Sequence, residues 1–327
     1  MKSFAYVQAT SVSDAVSQVT AGPGRTLLSG GIDLVDLMKE HLLEPDTLVA
    51  TSGIGGINTL TAYSDGRIRL GARMTLAEVA ASSVIASSLP ALVSACSEAA
   101  TPQIRNRATL AGNLLQRPRC WYFRSEDVSC LKKGGASCPG VTGDNRYLAI
   151  LGGGPCYAVQ ASSTSIALTA LDAMVQVTGT AGSRAIALSS LYVSPSTDPT
   201  REHGLQAGDV VTYIDVPAQP AGSKNAYLKV RHKEAFDWAM AEAAVRLTLS
   251  GSTVTAARIV LGGVAPVPWR ATQAETLLVG KPMSASLAAQ AAAAAVADAR
   301  PLSLNGYKIN AASYVVEQAL LKAAGLA

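Results

Sequence analysis

Two glycine-bearing loops set the strongest limit on how this chain can fold. The first, Leu27-Leu28-Ser29-Gly30-Gly31-Ile32-Asp33, breaks the strand-like run Arg25 to Ser29 and leads into a segment with Leu34, Leu37 and Met38 on one helical face. The second, Thr109-Leu110-Ala111-Gly112-Asn113, follows Thr101-Pro102-Gln103-Ile104-Arg105-Asn106-Arg107. Paired glycines let backbone N–H groups approach an anion, and a helix N-terminus adds a dipole that favours phosphate. Neither loop fits the G-x-G-x-x-G fingerprint or the phosphate loop of NTPases. Each alone is compatible with an ordinary βα turn; the pair, in this order, carries the information.

The surrounding pattern supports an α+β chain. The first fifty residues read as strand–helix–strand–helix–strand. Ser3 to Gln8 alternates, Ser11 or Ser13 can cap a helix through Val19, Asp33 can cap the next helix, and Thr47 to Ala50 closes the unit. Asn58 to Tyr63 and Arg67 to Ala72 flank Asp65-Gly66, a hairpin signal. Thr75-Leu76-Ala77-Glu78 is a capping box, and a further helix from Leu89 to Ala99 ends before Pro102. An irregular stretch rich in Gly, Pro, Cys and Arg follows. Regular structure is expected to resume near Cys156 and to run through a strand ending near Val177. Pro217 to Ser223 reads as a linker, with strands after it at Asn225 to Val230, Ala239 to Leu249 and Val254 to Leu261. Helices end the chain, the last from about Ala312 to Ala324. The expected domains are 1–221, with subdomains 1–54 and 55–221 and an insertion at 117–156, and then 222–327.

Composition closes off other classes. The chain has 327 residues, 49% of them hydrophobic and 15% charged, which is a globular composition. With a net charge of +4 and no Lys/Arg run, nucleic-acid binding is not expected. Met1 to Tyr6 lacks the apolar core of a signal peptide, and the Ala-rich run Ser284 to Ala299 reads as a soluble helix. The expected location is therefore the cytoplasm, or the periplasm if the chain is exported with a signal-bearing partner.

Four of the five cysteines, Cys120, Cys130, Cys138 and Cys156, lie close together as C-x9-C-x7-C-x17-C. This is neither the zinc spacing nor the ferredoxin spacing. Spacing alone leaves two readings, metal ligands or buried structural thiols. The segment also holds Arg117, Arg119, Arg124, Lys132 and Lys133, cations that would stabilise the negative charge of four thiolates around an iron–sulfur core. Cys96 falls on an apolar helical face and reads as core. His203 and His232 read as surface or core residues, although His232 lies near Lys229 and Asp237 in sequence. There is no nucleophile elbow, paired-carboxylate signature or molybdenum signature.

The two loops together resemble those of the FAD-binding subunits of the xanthine dehydrogenase and carbon monoxide dehydrogenase family. Those subunits carry Gly-Gly-x-Asp-Leu and then Ile-Arg-Asn…Thr-x-Gly-Gly-Asn; here Ala111 replaces the first glycine of the second loop. Ala167-Leu168-Thr169-Ala170-Leu171-Asp172-Ala173 looks like the family's strand after that loop. Tyr227-Leu228-Lys229 with Arg231, Asp237 and Ala239 is similar to the start of its C-terminal domain. So are Leu261-Gly262-Gly263-Val264-Ala265-Pro266 and Pro268-Trp269-Arg270-Ala271. The family often has a Pro-Ser-Asp triplet where this chain has Ala161-Ser162-Ser163-Thr164, so Ser163 offers a hydroxyl in place of a carboxylate.

The resemblance implies a fold: a two-subdomain FAD-binding domain of the vanillyl-alcohol oxidase/molybdopterin dehydrogenase type, followed by a smaller α+β domain. It implies FAD contacts from Leu27, Leu28, Ser29, Gly30, Gly31, Ile32 and Asp33 on one side. Thr101, Arg107, Thr109, Gly112, Asn113, Ser163 and Lys229 would supply the other. Arg119-Cys120-Trp121-Tyr122-Phe123-Arg124, Gly143-Asp144-Asn145-Arg146-Tyr147 and Thr200-Arg201-Glu202-His203 resemble the aldehyde oxidoreductase branch, whose insertion holds a [4Fe–4S] cluster. That implies Cys120, Cys130, Cys138 and Cys156 as its ligands. The implied assembly is a heterotrimer with a [2Fe–2S] small subunit and a molybdenum-cofactor large subunit, passing electrons to an external acceptor. Aldehyde oxidation is the first expectation, and a xanthine dehydrogenase or aromatic hydroxylase the second. A self-contained FAD oxidase, or a scaffold that has lost FAD, are the alternatives from other classes.

Overall fold

The structure is a computed structural model that describes residues 1–233 and 236–327. It opens with β1 (Ala5–Gln8), α1 (Val12–Thr20), β2 (Arg25–Leu28), α2 (Ile32–Lys39) and β3 (Thr47–Ala50). The strands form a parallel sheet in the order β1-β3-β2. All four residues of β3 are buried, as its central place requires. Ser11, not Ser13, caps α1, its hydroxyl accepting from the Asp14 N–H.

A second layer follows. The hairpin of β4 (Leu60–Ala62) and β5 (Ile68–Gly71) turns at Asp65-Gly66, where Gly66 takes a left-handed φ of 85°. The capping box at Thr75 and Glu78 is formed and opens α3 (Leu76–Ala81). Next come α4 (Ser83–Ser88), α5 (Pro90–Ser97), α6 (Pro102–Arg105), α7 (Leu110–Leu114) and α8 (Trp121–Arg124). Then α9 (Ser163–Ala170) leads into β6 (Met174–Gly179), β7 (Gly182–Ala187) and β8 (Val210–Val216), giving an antiparallel sheet β4-β5-β8-β6-β7.

The expected strand at Ala167–Ala173 is a correction. Residues Ser163–Ala170 are helical, and the strand begins at Met174. Ser162 caps the helix by accepting from the Ser165 N–H, and all eight helical residues are buried. A helix buried all round has no polar face, so its sequence has no 3.6-residue period to read. Regular structure accordingly resumes at Ser163 and not at Cys156.

The third layer is the antiparallel sheet β12-β11-β10-β9, built from β9 (Ser223–Val230), β10 (Ala241–Ser250), β11 (Thr253–Gly262) and β12 (Trp269–Arg270). Alternation along β10 joins two cores. Ala243, Val245 and Leu247 pack with α10 (Thr272–Leu278), α11 (Ala285–Ala295) and α12 (Tyr307–Ala324), while Ala244 packs with Leu92 and Ile166. The Ala-rich α11 buries Leu287, Ala288, Ala291, Ala292 and Ala295 in this core. Among the described residues no helix is long and apolar enough to cross a membrane.

The segment from Arg117 to Cys156 carries only α8 and two short 3-10 turns, so side chains must hold it. At its end, Asn145 Oδ1 accepts from the Leu304 N–H at 2.8 Å, and Asn305 Nδ2 donates to the Leu148 carbonyl at 3.1 Å. Lys308 Nζ donates to the carbonyls of Tyr147 at 2.9 Å and Gly263 at 2.6 Å. Lys308 is fully buried, and burial pulls its ammonium down to about 7.

Candidate functional site

A cavity of about 970 Å³ opens where the two glycine loops meet. A β-carbon on Gly30 would run into the Arg107 carbonyl oxygen and stand 3.2 Å from the Thr109 nitrogen, so only glycine lets the loops close on each other. Gly31 caps α2 with a left-handed φ of 79° and offers no side-chain acceptor. The first-turn N–H groups of α2 are therefore left for another partner, and Gly31, Ile32, Asp33 and Leu34 all face the cavity.

Leu27, Ser29 and Gly30 complete that wall, while the Leu28 side chain lies off it, placed where a β-carbon on Gly31 would touch its Cδ1 at 3.2 Å. On the other side stand Thr101, Thr109, Gly112 and Asn113; Arg107 is exposed and lends only its backbone to Gly30. Thr109 caps α7, accepting from the Gly112 N–H. Asn113 Oδ1 accepts from Ser162 Oγ at 2.7 Å and Thr164 Oγ1 at 2.6 Å, which ties α7 to α9. Ser163 and Lys229 line the cavity floor. Burial pulls the Lys229 ammonium down, against the pull of Glu242, and its Nζ donates to the Glu98 carbonyl at 3.0 Å.

Two buried polar atoms on this wall have no hydrogen-bond partner among the described residues, Ser29 Oγ and His203 Nδ1. A wall with unfilled N–H groups, an orphaned hydroxyl and a mostly apolar remainder fits a large ligand carrying phosphate. His203 was set aside in the sequence because nothing in its neighbourhood marks it. In the fold its imidazole is buried, which pulls its pKa below the usual value. Phe236, Asp237 and Trp238 also line the cavity, with the Arg119 guanidinium 4.8 Å from the Trp238 ring centroid.

Asp33 is a second correction. It does not cap α2; its carboxylate accepts from Arg124 at 2.6 Å and from the Arg117 N–H at 2.8 Å, and it pairs with Arg119 at 2.6 Å. Arg124 reaches Glu40 as well, at 3.0 Å. The cationic segment is thus clamped onto α2, directly beside the cavity.

All four cysteines of that segment are free. Burial pushes the Cys120 thiol up to about 11, the N–H groups of Phe123 and Tyr122 oppose this, and Cys156 and Cys138 lie near enough to raise it further. Burial also raises Cys156, opposed by the Ala158 N–H and Lys132, with Cys138 and Cys130 nearby. The thiols share one neighbourhood without converging: among the described residues no three His, Cys, Asp or Glu side chains are gathered to hold a metal ion. Backbone N–H groups face Cys120 and Cys156, and Lys132 lies near Cys156. A crevice of about 10 Å³ beside Cys156, also lined by Gln160, Arg201 and Glu202, has room for little more than one water. Cys96, fully buried, is a core residue.

A family model described as FAD binding domain in molybdopterin dehydrogenase matches residues 2–219, and one described as CO dehydrogenase flavoprotein C-terminal domain matches residues 225–323. The aldehyde oxidoreductase FAD-binding subunit PaoB of Escherichia coli (strain K12) is 33% identical over 281 residues, 85% of this chain and 86% of its own length. The carbon monoxide dehydrogenase medium chain of Hydrogenophaga pseudoflava is 27% identical over 322 residues, 97% of this chain and 96% of its own. Among solved structures, carbon monoxide dehydrogenase from that organism superposes with a TM-score of 0.77 at 27% identity, covering 98% of this chain and 97% of the other. Reconstituted CO dehydrogenase from Oligotropha carboxidovorans superposes at 0.79 with 26% identity, covering 99% of each.

Proposed function

This chain belongs to the FAD-binding family of the molybdopterin dehydrogenases, and from that we propose that it is the electron-transfer subunit of a heteromeric molybdenum hydroxylase that oxidises aldehydes. The observation that carries the reading is the cavity where Gly30 packs on Arg107 and Ser29 Oγ stands without a partner. Ser29 to Asp33 and the N-terminus of α2 would hold the pyrophosphate from one side, and Thr109 to Asn113 from the other. Thr101, Ser163 and Lys229 complete the set, with residues 1–221 carrying the cofactor and residues 222–327 closing the cavity over it. FAD supplies the redox chemistry; the chain binds it, excludes water and sets the charge around it.

Electrons from a [2Fe–2S] small subunit, drawn from substrate at a molybdenum-cofactor large subunit, would leave through this chain to an external acceptor. Cys120, Cys130, Cys138 and Cys156 would hold a [4Fe–4S] cluster beside that route, the N–H groups on Cys120 and Cys156 stabilising its charge. The aldehyde assignment rests on the likeness to PaoB.

Reconstitution tests the function. The purified chain should carry FAD and reduce artificial acceptors, and should oxidise aldehydes only after the molybdenum and [2Fe–2S] subunits are added. Robust aldehyde oxidation by the chain alone would make it a self-contained oxidase. Anaerobic analysis should find about four iron and four sulfide per chain, lost in Cys138→Ala/Cys156→Ala with flavin retained. Zinc in their place, or a cluster surviving that double variant, overturns the ligand assignment.

A further inference from the structure

Behind the cavity floor lies a buried carboxylate that the proposed electron route does not use. Glu242, on β10, is 1% exposed. Its Oε2 accepts from Ser163 Oγ at 2.6 Å and from the Tyr227 hydroxyl at 2.5 Å. Ser163 alone of these three faces the cavity. The chain therefore carries a carboxyl group one hydroxyl away from the cavity, at the position where Ser163 itself offers no carboxylate.

We propose that Glu242 is the proton store of this cavity, exchanging a proton with the bound cofactor through the Ser163 hydroxyl. The inference rests on the reading that the cavity holds FAD, whose two-electron reduction is accompanied by proton uptake. In that direction Glu242 is protonated and the bond runs the other way, Oε2–H donating to Ser163 Oγ; this proton passes to Ser163 Oγ as the Ser163 O–H, turned to the cavity, gives its own proton to an acceptor there. One O–H bond breaks at the carboxyl, one forms on the acceptor, the serine is unchanged, and the electrons come from the partner subunits. Reoxidation runs the same path backwards and returns the proton to Oε2.

The surroundings select this path. Tyr227 is fully buried, and burial together with the Glu242 carboxylate holds its pKa far above the usual value, so it keeps its proton and only orients Oε2. From β9, Lys229 places a cation near Glu242, with Glu98 at the end of α5 and then Arg231 and Asp237 beyond it. Apart from Ser163 on α9, the α9 and β11 sides are apolar or backbone here: a β-carbon on Gly262 would lie 2.5 Å from Glu242 Oε1 and 2.6 Å from Ile166 Cγ1. Among the described residues, the Ser163 hydroxyl is the one Glu242 Oε2 partner that lines the cavity. Glu242 is thus a positioning and proton-holding residue, not one that touches the cofactor.

Flavin content is measured first; a wild-type chain that takes up no FAD refutes the function proposed above, not this inference. In the loaded chain, the reduced-minus-oxidised infrared difference spectrum should show a carboxylic acid C=O band that vanishes in Glu242→Gln. Reoxidation by an artificial acceptor should slow on the order of 100-fold in Glu242→Gln and in Ser163→Ala, as loss of a general acid–base group does. Ser163→Thr, which keeps the hydroxyl, should restore it. A band that persists in Glu242→Gln overturns the proposal. If Glu242→Gln does not fold, Ser163→Ala decides alone, since Glu242 is intact there: an unchanged rate and solvent deuterium effect overturn it.

Discussion

The first glycine loop and the cysteine segment both lie against α2, and they are held in opposite ways. The glycine loop is shaped by backbone against backbone, Gly30 lying against the Arg107 carbonyl with no room for a methyl group. The cysteine segment has almost no regular structure and is held by side chains, above all Asp33, which takes the Arg119 and Arg124 guanidinium groups and the Arg117 N–H. Backbone packing is all-or-none, because one added carbon forces two main chains apart. A side-chain clamp is divisible: removing one arm leaves the others.

Gly30→Val should break the first region outright. The folded variant should contain almost no flavin by absorbance, and flavin near the wild-type level would show that the loops need not touch. Arg124→Ala should loosen the second by about 2 kcal/mol, the loss of charge-assisted hydrogen bonds to a half-buried carboxylate, read from the urea midpoint. Arg119 still pairs with Asp33 in that variant, so flavin content should hold. Loss of flavin together with stability would mean that the two regions are one unit.

Trp238→Ala probes the seam between them, where Arg119 stacks on the indole. Flavin affinity should weaken by about 1 kcal/mol, roughly fivefold. The smallest effect is a pH dependence. Burial holds the His203 pKa below its unfolded value, so the fold favours the neutral ring. Its contribution to stability is complete above the unfolded pKa near 6.5 and is lost as pH falls below it, because the unfolded chain takes the proton first. Urea titrations between about pH 7.5 and 5.5 should show a shallower slope in His203→Gln than in wild type.

What could be read from the sequence was local. Ser11, the Thr75–Glu78 box and Asp65-Gly66 each act within a few residues, and each does in the fold what its spacing implies. The first glycine loop was legible because a glycine pair between a strand and a helix is a local signal of backbone that can approach closely. What needed the fold was distant. Asp33 looks like a cap because its partners at Arg117 and Arg124 lie 84 and 91 residues away. Glu242 is one of several polar residues of its strand until Ser163, 79 residues earlier, is brought to it. The helix α9 was misread for the opposite reason: it is buried on every side, and burial erased the pattern that would have announced it.

The bonds from Asn305 and Lys308 to Leu148 and Tyr147 span 157 and 161 residues. On the ribosome, where synthesis runs from the N-terminus, the first sheet and both glycine loops are complete long before those partners exist. The last limb of the thiol-bearing segment therefore stays unfastened through nearly half of translation. It is closed by the final helix, which makes α12 the last part to seal a region whose cysteines were made 151 to 187 residues before it.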